Sequence, residues 1–153
     1  MRKHQVSLLL LGLLFPIAIQ AVSLTDSLRQ AIYKSIGDEE SEGDARWNLI
    51  ATLGNEVMDS LLLAEAPEQM NWFMHHQQWE HYYDTWDSKI NAYLYTEHLQ
   101  TALREAQTML DDASSRDNRY GRAMAYQSLG IIYELLGLFD QSVDVFQCCI
   151  ARH

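Results

Sequence analysis

The stretch Ala123–Ile150, near the end of the 153-residue chain, constrains the fold more than any other segment. Its apolar residues recur at spacings of three and four in two blocks, which is the pattern of two amphipathic helices. Gly137 lies between the blocks and can end the first helix in the left-handed conformation. The segment therefore predicts a helix-turn-helix unit, with the break between Leu136 and Gln141.

The two blocks resemble a tetratricopeptide repeat at the positions that define packing in that family. The matching residues are Tyr126, Leu129, Gly130, Tyr133, Gly137, Ser142, Phe146 and Cys149. Ser142 and Cys149 stand where the family usually has alanine, and both are small enough to preserve tight helix contact. Gly130 is costly inside a helix, so we expect the partner helix to approach it closely.

A weaker copy of the same pattern lies 40 residues upstream, at about 83–116, whereas the clear repeat spans about 123–153. The residues that align are Trp86, Ile90, Tyr93, Ala102, Ala106 and Met109. The offset exceeds the usual repeat of about 34 residues. We expect the polar stretch Asp111–Asn118 to hold the excess as a loop.

Helix is expected from Leu24 onward, because glycine and proline are scarce and no long alternating β-branched run occurs. We predict an all-α fold in which antiparallel helix-turn-helix pairs stack as a short, tetratricopeptide-like, right-handed solenoid. An apolar stripe from Met70 to Tyr93 predicts one helix that anchors the core.

The domain organisation follows from this pattern. Residues 22–66 form an N-terminal helical segment with an acidic hinge near 37–44, where glycines flank a run of carboxylates. Residues 67–153 form the region of helix pairs, and Pro67 is expected in the first turn of a helix.

Residues 1–21 have the three zones of a secretory signal peptide, namely Arg2 and Lys3, the apolar run Val6–Ile19, and a small residue at Ala21. The apolar run is shorter than the roughly 20 residues of a membrane anchor. We therefore predict cleavage after Ala21, with retention as an anchor as the alternative. The mature protein is expected to be exported, periplasmic or extracellular, with no stable membrane span.

The net charge of −10 bears on the class of partner. An acidic surface repels phosphate backbones and anionic lipid headgroups. Nucleic acid is therefore excluded as an expected partner.

The segment Met70–Tyr83 concentrates histidine, methionine and aromatic residues, which raises the hypothesis of a metal site. Ligands on one helical face should be three or four residues apart, yet His75 and His76 are adjacent. Aromatic packing with exposed histidines is the better interpretation, and we predict no metal and no cofactor. No catalytic signature occurs either, so the chain is not predicted to be an enzyme.

Cys148 and Cys149 allow three interpretations in an exported protein: buried small residues, a disulfide, or metal ligands. Successive helical residues point about 100 degrees apart. One of the two can face the partner helix, which leaves Cys148 exposed if Cys149 holds the repeat position.

The resemblance to tetratricopeptide repeats implies a binding surface on the first helix of each pair. In the clear repeat its residues are Met124, Gln127, Ile131 and Glu134. They suit a protein or peptide partner, and the alternative is that they pack on the preceding repeat. The expected function is an exported scaffold or adaptor. Apolar residues near the C-terminal end of the pair would also permit self-association.

The arrangement of leader, irregular helical segment and repeats resembles the exported input region of bacterial sensor histidine kinases that carry tetratricopeptide repeats. That resemblance implies an alternative function, in which the chain is an extracytoplasmic sensory segment of a two-component system.

Overall fold

The computed structural model describes residues 23–151, apart from the side chains of residues 149–151. The predicted signal peptide lies outside this part. All described secondary-structure elements are helices, which confirms the all-α prediction. They are α1 (23–35), α2 (Glu39–Asn55), α3 (Asp59–His75), α4 (Trp79–Tyr95), α5 (Leu99–Ser115), α6 (Arg119–Leu135) and α7 (Phe139–Ala151). Within the described range, no helix is long and apolar enough to cross a membrane.

The helices follow a period of 20 residues. Helices α2 to α6 each contain 17 residues, and three residues connect each of them to the next. Alternate helices therefore begin 40 residues apart, which is the offset found between the two sequence repeats. The pair is longer than a tetratricopeptide repeat of about 34 residues because its helices are long, not because a loop is inserted.

The same backbone conformation ends the helices at each connection. The middle residue has a positive φ, and these residues are Gly37 (99°), Val57 (54°), Gln77 (56°), Glu97 (62°), Asp117 (49°) and Gly137 (73°). In five connections the next residue donates its N–H to the carbonyl five positions back, as Leu138 does to Tyr133 at 2.8 Å. This is the Schellman pattern, which satisfies carbonyls at the end of a helix.

Three expectations about local structure are wrong. Asp111–Asn118 is not a loop, because α5 continues to Ser115, and the polar side chain of Asp112 is instead a hydrogen-bond partner of α4. Pro67 lies in the middle of α3, not in a first turn. The stripe from Met70 to Tyr93 belongs to two helices, since residues 76–78 form a turn.

The described part of the chain divides into two compact units, with the boundary between Leu49 and Ile50. In the described part of the first unit, Asp38 caps α2 by accepting a hydrogen bond from the backbone N–H of Ser41 at 3.3 Å. Glu39, Glu40 and Glu42 lie in the first turn of α2, where carboxylates interact favourably with the helix dipole. Of the predicted acidic hinge, residues 37 and 38 lie between helices.

In the second unit, each helix from α3 to α7 packs against the next one, and α4 also contacts α6. Helices joined by three residues must run antiparallel, so α4–α5 and α6–α7 are successive helix pairs. The contact of α4 with α6 joins the first helices of the two pairs. This stack matches the predicted architecture.

Polar side chains of α5 hold α4 in two places. The hydroxyl of the buried Tyr83 donates to Oδ2 of Asp112 at 3.0 Å. Closer to the end of α4, the indole of Trp86 (3.0 Å) and the ammonium of Lys89 (2.9 Å) both donate to Oε2 of Glu105. Burial and the hydrogen bond to Asp112 raise the pKa of Tyr83 above its ordinary value. A hydrogen bond to a charged group contributes about 1.5 to 3 kcal/mol to stability, which is more than a neutral one contributes.

At one pair of equivalent core positions, the large and the small residue are exchanged between the first and second helix of the pair. In α6–α7 the ring of Phe146 lies against Gly130, so closely that a Cβ on Gly130 would be 2.3 Å from Cζ of the ring. Forty residues earlier the large residue is on the first helix, Ile90, and the small one on the second, Ala106; both are fully buried. Exchanging large and small residues in this way keeps the total volume of the contact similar.

We predict that Gly130→Ala destabilises the protein by about 1 to 3 kcal/mol, because the new methyl group must displace the ring of Phe146. Gly54→Ala is the matched control. Its Cβ would meet Leu62 at an ordinary distance of 3.5 Å, so this change should stabilise α2 by about 0.5 to 1 kcal/mol. Urea unfolding measures both free energies. Equal effects of the two substitutions would contradict the packing assignment.

Candidate binding surface

The 40-residue offset places α4 and α6 in the same register, so their residues occupy equivalent positions. One face of α6 carries Tyr120, Met124, Gln127, Ile131, Glu134 and Leu135, which fall within about 100 degrees of the helix circumference. The equivalent residues of α4 are Glu80, Asp84, Asp87, Asn91, Leu94 and Tyr95. We call these two sets together the α4–α6 face.

The four predicted binding residues lie on this face of α6. Gln127, Ile131 and Glu134 are exposed, and Met124 is half-buried. The opposite side of α6 is buried, through Ala125, Leu129 and Ile132. Hydrogen bonding to the preceding α4 is made by neighbours of the predicted residues, Ser128 and Tyr120.

The repeat-defining residues lie toward the interior or in the turn. Leu129 and Ser142 are buried, whereas Tyr126, Tyr133 and Phe146 are half-buried. Gly130 and Gly137 have the packing and turn positions already described. Residue 149 belongs to α7, but the side chain of Cys149 lies outside the described part of the structure; Cys148 is an exposed, free cysteine.

Asp87 is the centre of the contact between α4 and α6. Its Oδ1 accepts a hydrogen bond from the Ser128 hydroxyl at 2.6 Å, and its Oδ2 accepts one from the Asn91 amide at 2.9 Å. Burial raises the pKa of Asp87 above its ordinary value of 3.8, and the charge of Asp84 adds to this, although both hydrogen bonds oppose it. The carboxylate therefore positions α6 on α4 at an electrostatic cost.

Three carboxylates cluster at the N-terminal half of α4. The hydroxyl of Tyr120 on α6 donates to Oδ1 of Asp84. Burial, this hydrogen bond, and the charges of Asp84, Glu80 and Asp87 raise the pKa of Tyr120. The charges of all three carboxylates act on the phenol of Tyr120. We call Glu80, Asp84 and Asp87 the acidic band of the α4–α6 face.

Exposed apolar side chains occupy the other end of the face. Tyr95 is 72% exposed, Leu135 is 59% exposed and Ile131 is 37% exposed. Tyr95 and Leu135 are equivalent residues, 40 positions apart, at the C-terminal ends of α4 and α6. The face thus divides into an acidic band and an apolar band.

Sequence reasoning missed Glu80, Asp84, Asp87 and Tyr95 as members of this surface. A signal was available, because the weaker repeat already aligns Trp86 with Tyr126. The same alignment matches Asp84 with Met124 and Asp87 with Gln127.

The histidines of Met70–Tyr83 are distributed among local contacts. Nδ1 of His75 lies 2.7 Å from the carbonyl of Asn71, and Nδ1 of His76 lies 2.8 Å from the carbonyl of Trp72. Among the residues that the structure describes, no group of three or more His, Cys, Asp and Glu side chains is arranged to hold a metal ion.

We predict that Asp87→Asn changes how stability depends on pH. A carboxyl with a raised pKa in the folded state contributes stability that is present below its ordinary pKa and lost as the pH rises through the folded pKa. The unfolding free energy of the wild type should therefore fall relative to that of Asp87→Asn as the pH rises from about 4 to about 7. Urea unfolding over this range measures it.

Asp111→Asn makes the same substitution at an exposed position of α5 and serves as the control. The same pH dependence in both variants would contradict the role assigned to burial at Asp87.

No protein-family model matches this chain, no curated protein is significantly similar to it, and no solved structure matches it. The structure shows an all-α, repeat-like stack of helices that is compatible with a tetratricopeptide-like fold.

Proposed function

We propose that this protein is an exported, tetratricopeptide-like scaffold or adaptor that binds a protein or peptide through the α4–α6 face. The observation that carries the proposal is the exposure of Tyr95, Ile131 and Leu135 on adjacent first helices. Exposed apolar clusters rimmed by polar groups are typical of sites of protein interaction. Stacked helix pairs provide such surfaces in repeat proteins, usually as a concave wall.

The assignment to the tetratricopeptide class is part of this proposal. It is supported by the close approach of Phe146 to Gly130, by the left-handed Gly137, and by the contact between the first helices α4 and α6. The sensory input segment of a histidine kinase is the alternative function, and it stays a prediction from the resemblance.

We predict that Tyr95→Ser combined with Ile131→Ser reduces partner capture by about tenfold or more, since truncated anchor residues each cost about 1 kcal/mol or more. The purified protein carries a photoreactive residue in place of Gln127. The measurement is the yield of cross-links to proteins in an envelope extract of the producing cell.

The matched control is Tyr33→Ser combined with Ile36→Ser, which removes the same two residue types from exposed positions in and after α1. Circular dichroism should be unchanged in both double variants. Equal yields from the two would remove the α4–α6 face as the binding surface.

Self-association through the C-terminal helix pair is a second element of the proposal. Phe139 is 66% exposed and Val143 is 53% exposed on α7. Their equivalents 40 residues earlier, Leu99 and Leu103, are half-buried in α5, which packs against α6. A second copy of the chain would cover Phe139 and Val143 on α7, just as their equivalents on α5 are partly covered.

We predict that Phe139→Ser combined with Val143→Ser lowers the fraction of dimer, because it removes the apolar area that a second copy would bury. Sedimentation velocity over a concentration series measures the fraction, with the double variant of Tyr33 and Ile36 as control. A wild-type protein that stays monomeric throughout the series would contradict the prediction.

A further inference from the structure

We infer that the partner of the α4–α6 face is a cationic peptide segment with an apolar end, whose Lys or Arg residues meet Glu80, Asp84 and Asp87. This inference rests on the proposed function and names the chemistry of its partner. It follows from how charge, apolar area and distance are arranged on the face.

The charge on this face has one sign. Glu80, Asp84 and Asp87 are spaced by four and three residues along α4, and Glu134 adds a fourth carboxylate on α6. No lysine or arginine occurs at any position of the face. A cationic segment is therefore attracted, whereas an anionic one is repelled.

Three basic residues close to the face pair with carboxylates outside it. Lys89 pairs with Glu105 at 2.9 Å, Arg116 pairs with Asp112 at 3.0 Å, and Arg122 pairs with Asp117 at 2.8 Å. All three carboxylate partners lie on α5 or in the turn after it, outside the α4–α6 face. Lys89, Arg116 and Arg122 therefore do not neutralise the carboxylates of the acidic band.

Two carboxylates of the acidic band are held in place by hydrogen bonds. Asp84 is bound by Tyr120, and Asp87 is bound by Ser128 and Asn91. Each carboxylate can accept further hydrogen bonds, since an ionised carboxylate offers about four lone-pair sites. Lysine ammonium and arginine guanidinium groups are the donors that suit such a site best.

The separation of the two bands sets the size of the segment. Asp84 and Tyr95 are 11 positions apart on one helix, which corresponds to about 16 Å along the axis. An extended segment of about five residues spans that distance. Its basic end would lie at Asp84 and its apolar end at Tyr95, Ile131 and Leu135.

The test uses a fluorescent peptide of about eight residues, with lysines at one end and leucines at the other, and fluorescence anisotropy of the full mature protein. Two further peptides replace the lysines by glutamate or the leucines by serine. The lysine-leucine peptide should bind at least about fivefold more tightly than either. Its affinity should fall as salt is added.

The decisive comparison is between two double variants of equal net charge. Glu80→Gln with Asp84→Asn should weaken binding of the lysine-leucine peptide by about fivefold. Asp111→Asn with Asp144→Asn removes two exposed carboxylates from α5 and α7 and should leave binding nearly unchanged. Amides keep the shape of the replaced groups, so circular dichroism should be retained in both.

Equal weakening by the two double variants would overturn the inference, because general attraction to an acidic protein would then explain binding. Tighter binding of the glutamate peptide would overturn it as well. If the variants at Tyr95 and Ile131 abolish capture from the envelope extract while those at Glu80 and Asp84 change nothing, the proposed function stands and this inference fails. If the variants at Tyr95 and Ile131 leave capture unchanged, the proposed function fails.

Discussion

The rest of the structure depends on the three-residue connection between helices. Its left-handed middle residue and Schellman hydrogen bonds reverse the chain in the shortest space that still satisfies the end of one helix before the next begins. Repetition every 20 residues gives α2 to α6 the same length and aligns residues 40 positions apart. The α4–α6 face exists because α4 and α6 share this register, so that surface chemistry on one helix continues on the other.

Packing between the helices adapts to the side chains within that frame. Ile90 and Ala106 occupy the positions equivalent to Gly130 and Phe146, with the large residue on the opposite helix of the pair. Gly121 allows the ring of Tyr83 to approach α6, since a Cβ there would lie 2.5 Å from Cζ of the ring. The repeat is thus maintained in geometry more strictly than in residue identity. Unlike residues at equivalent contacts weaken the internal similarity of the sequence.

The turns show how far the sequence could be interpreted. Gly137 marks its turn, because glycine adopts positive φ without a steric cost. Val57, Gln77, Glu97 and Asp117 hold the same conformation at a cost of about 1 to 2 kcal/mol each, and local propensity indicates no turn at a valine. Gln77 likewise gives no local signal of a turn, so the stripe from Met70 to Tyr93 predicts a single helix. Burial of both flanking helices compensates for the strained turns.

Local patterns in the sequence determined the helical class, the C-terminal helix pair and the solvent-exposed side of α6, because periodicity and a single glycine act within one or two turns of chain. Tertiary structure decided the grouping of Glu80, Asp84 and Asp87 around Tyr120, and the pairing of Asp87 with Ser128, 41 residues away. Such contacts follow from the register of helices that are distant in sequence. That register is set by the accumulated length of the intervening helices and turns, which no local pattern encodes.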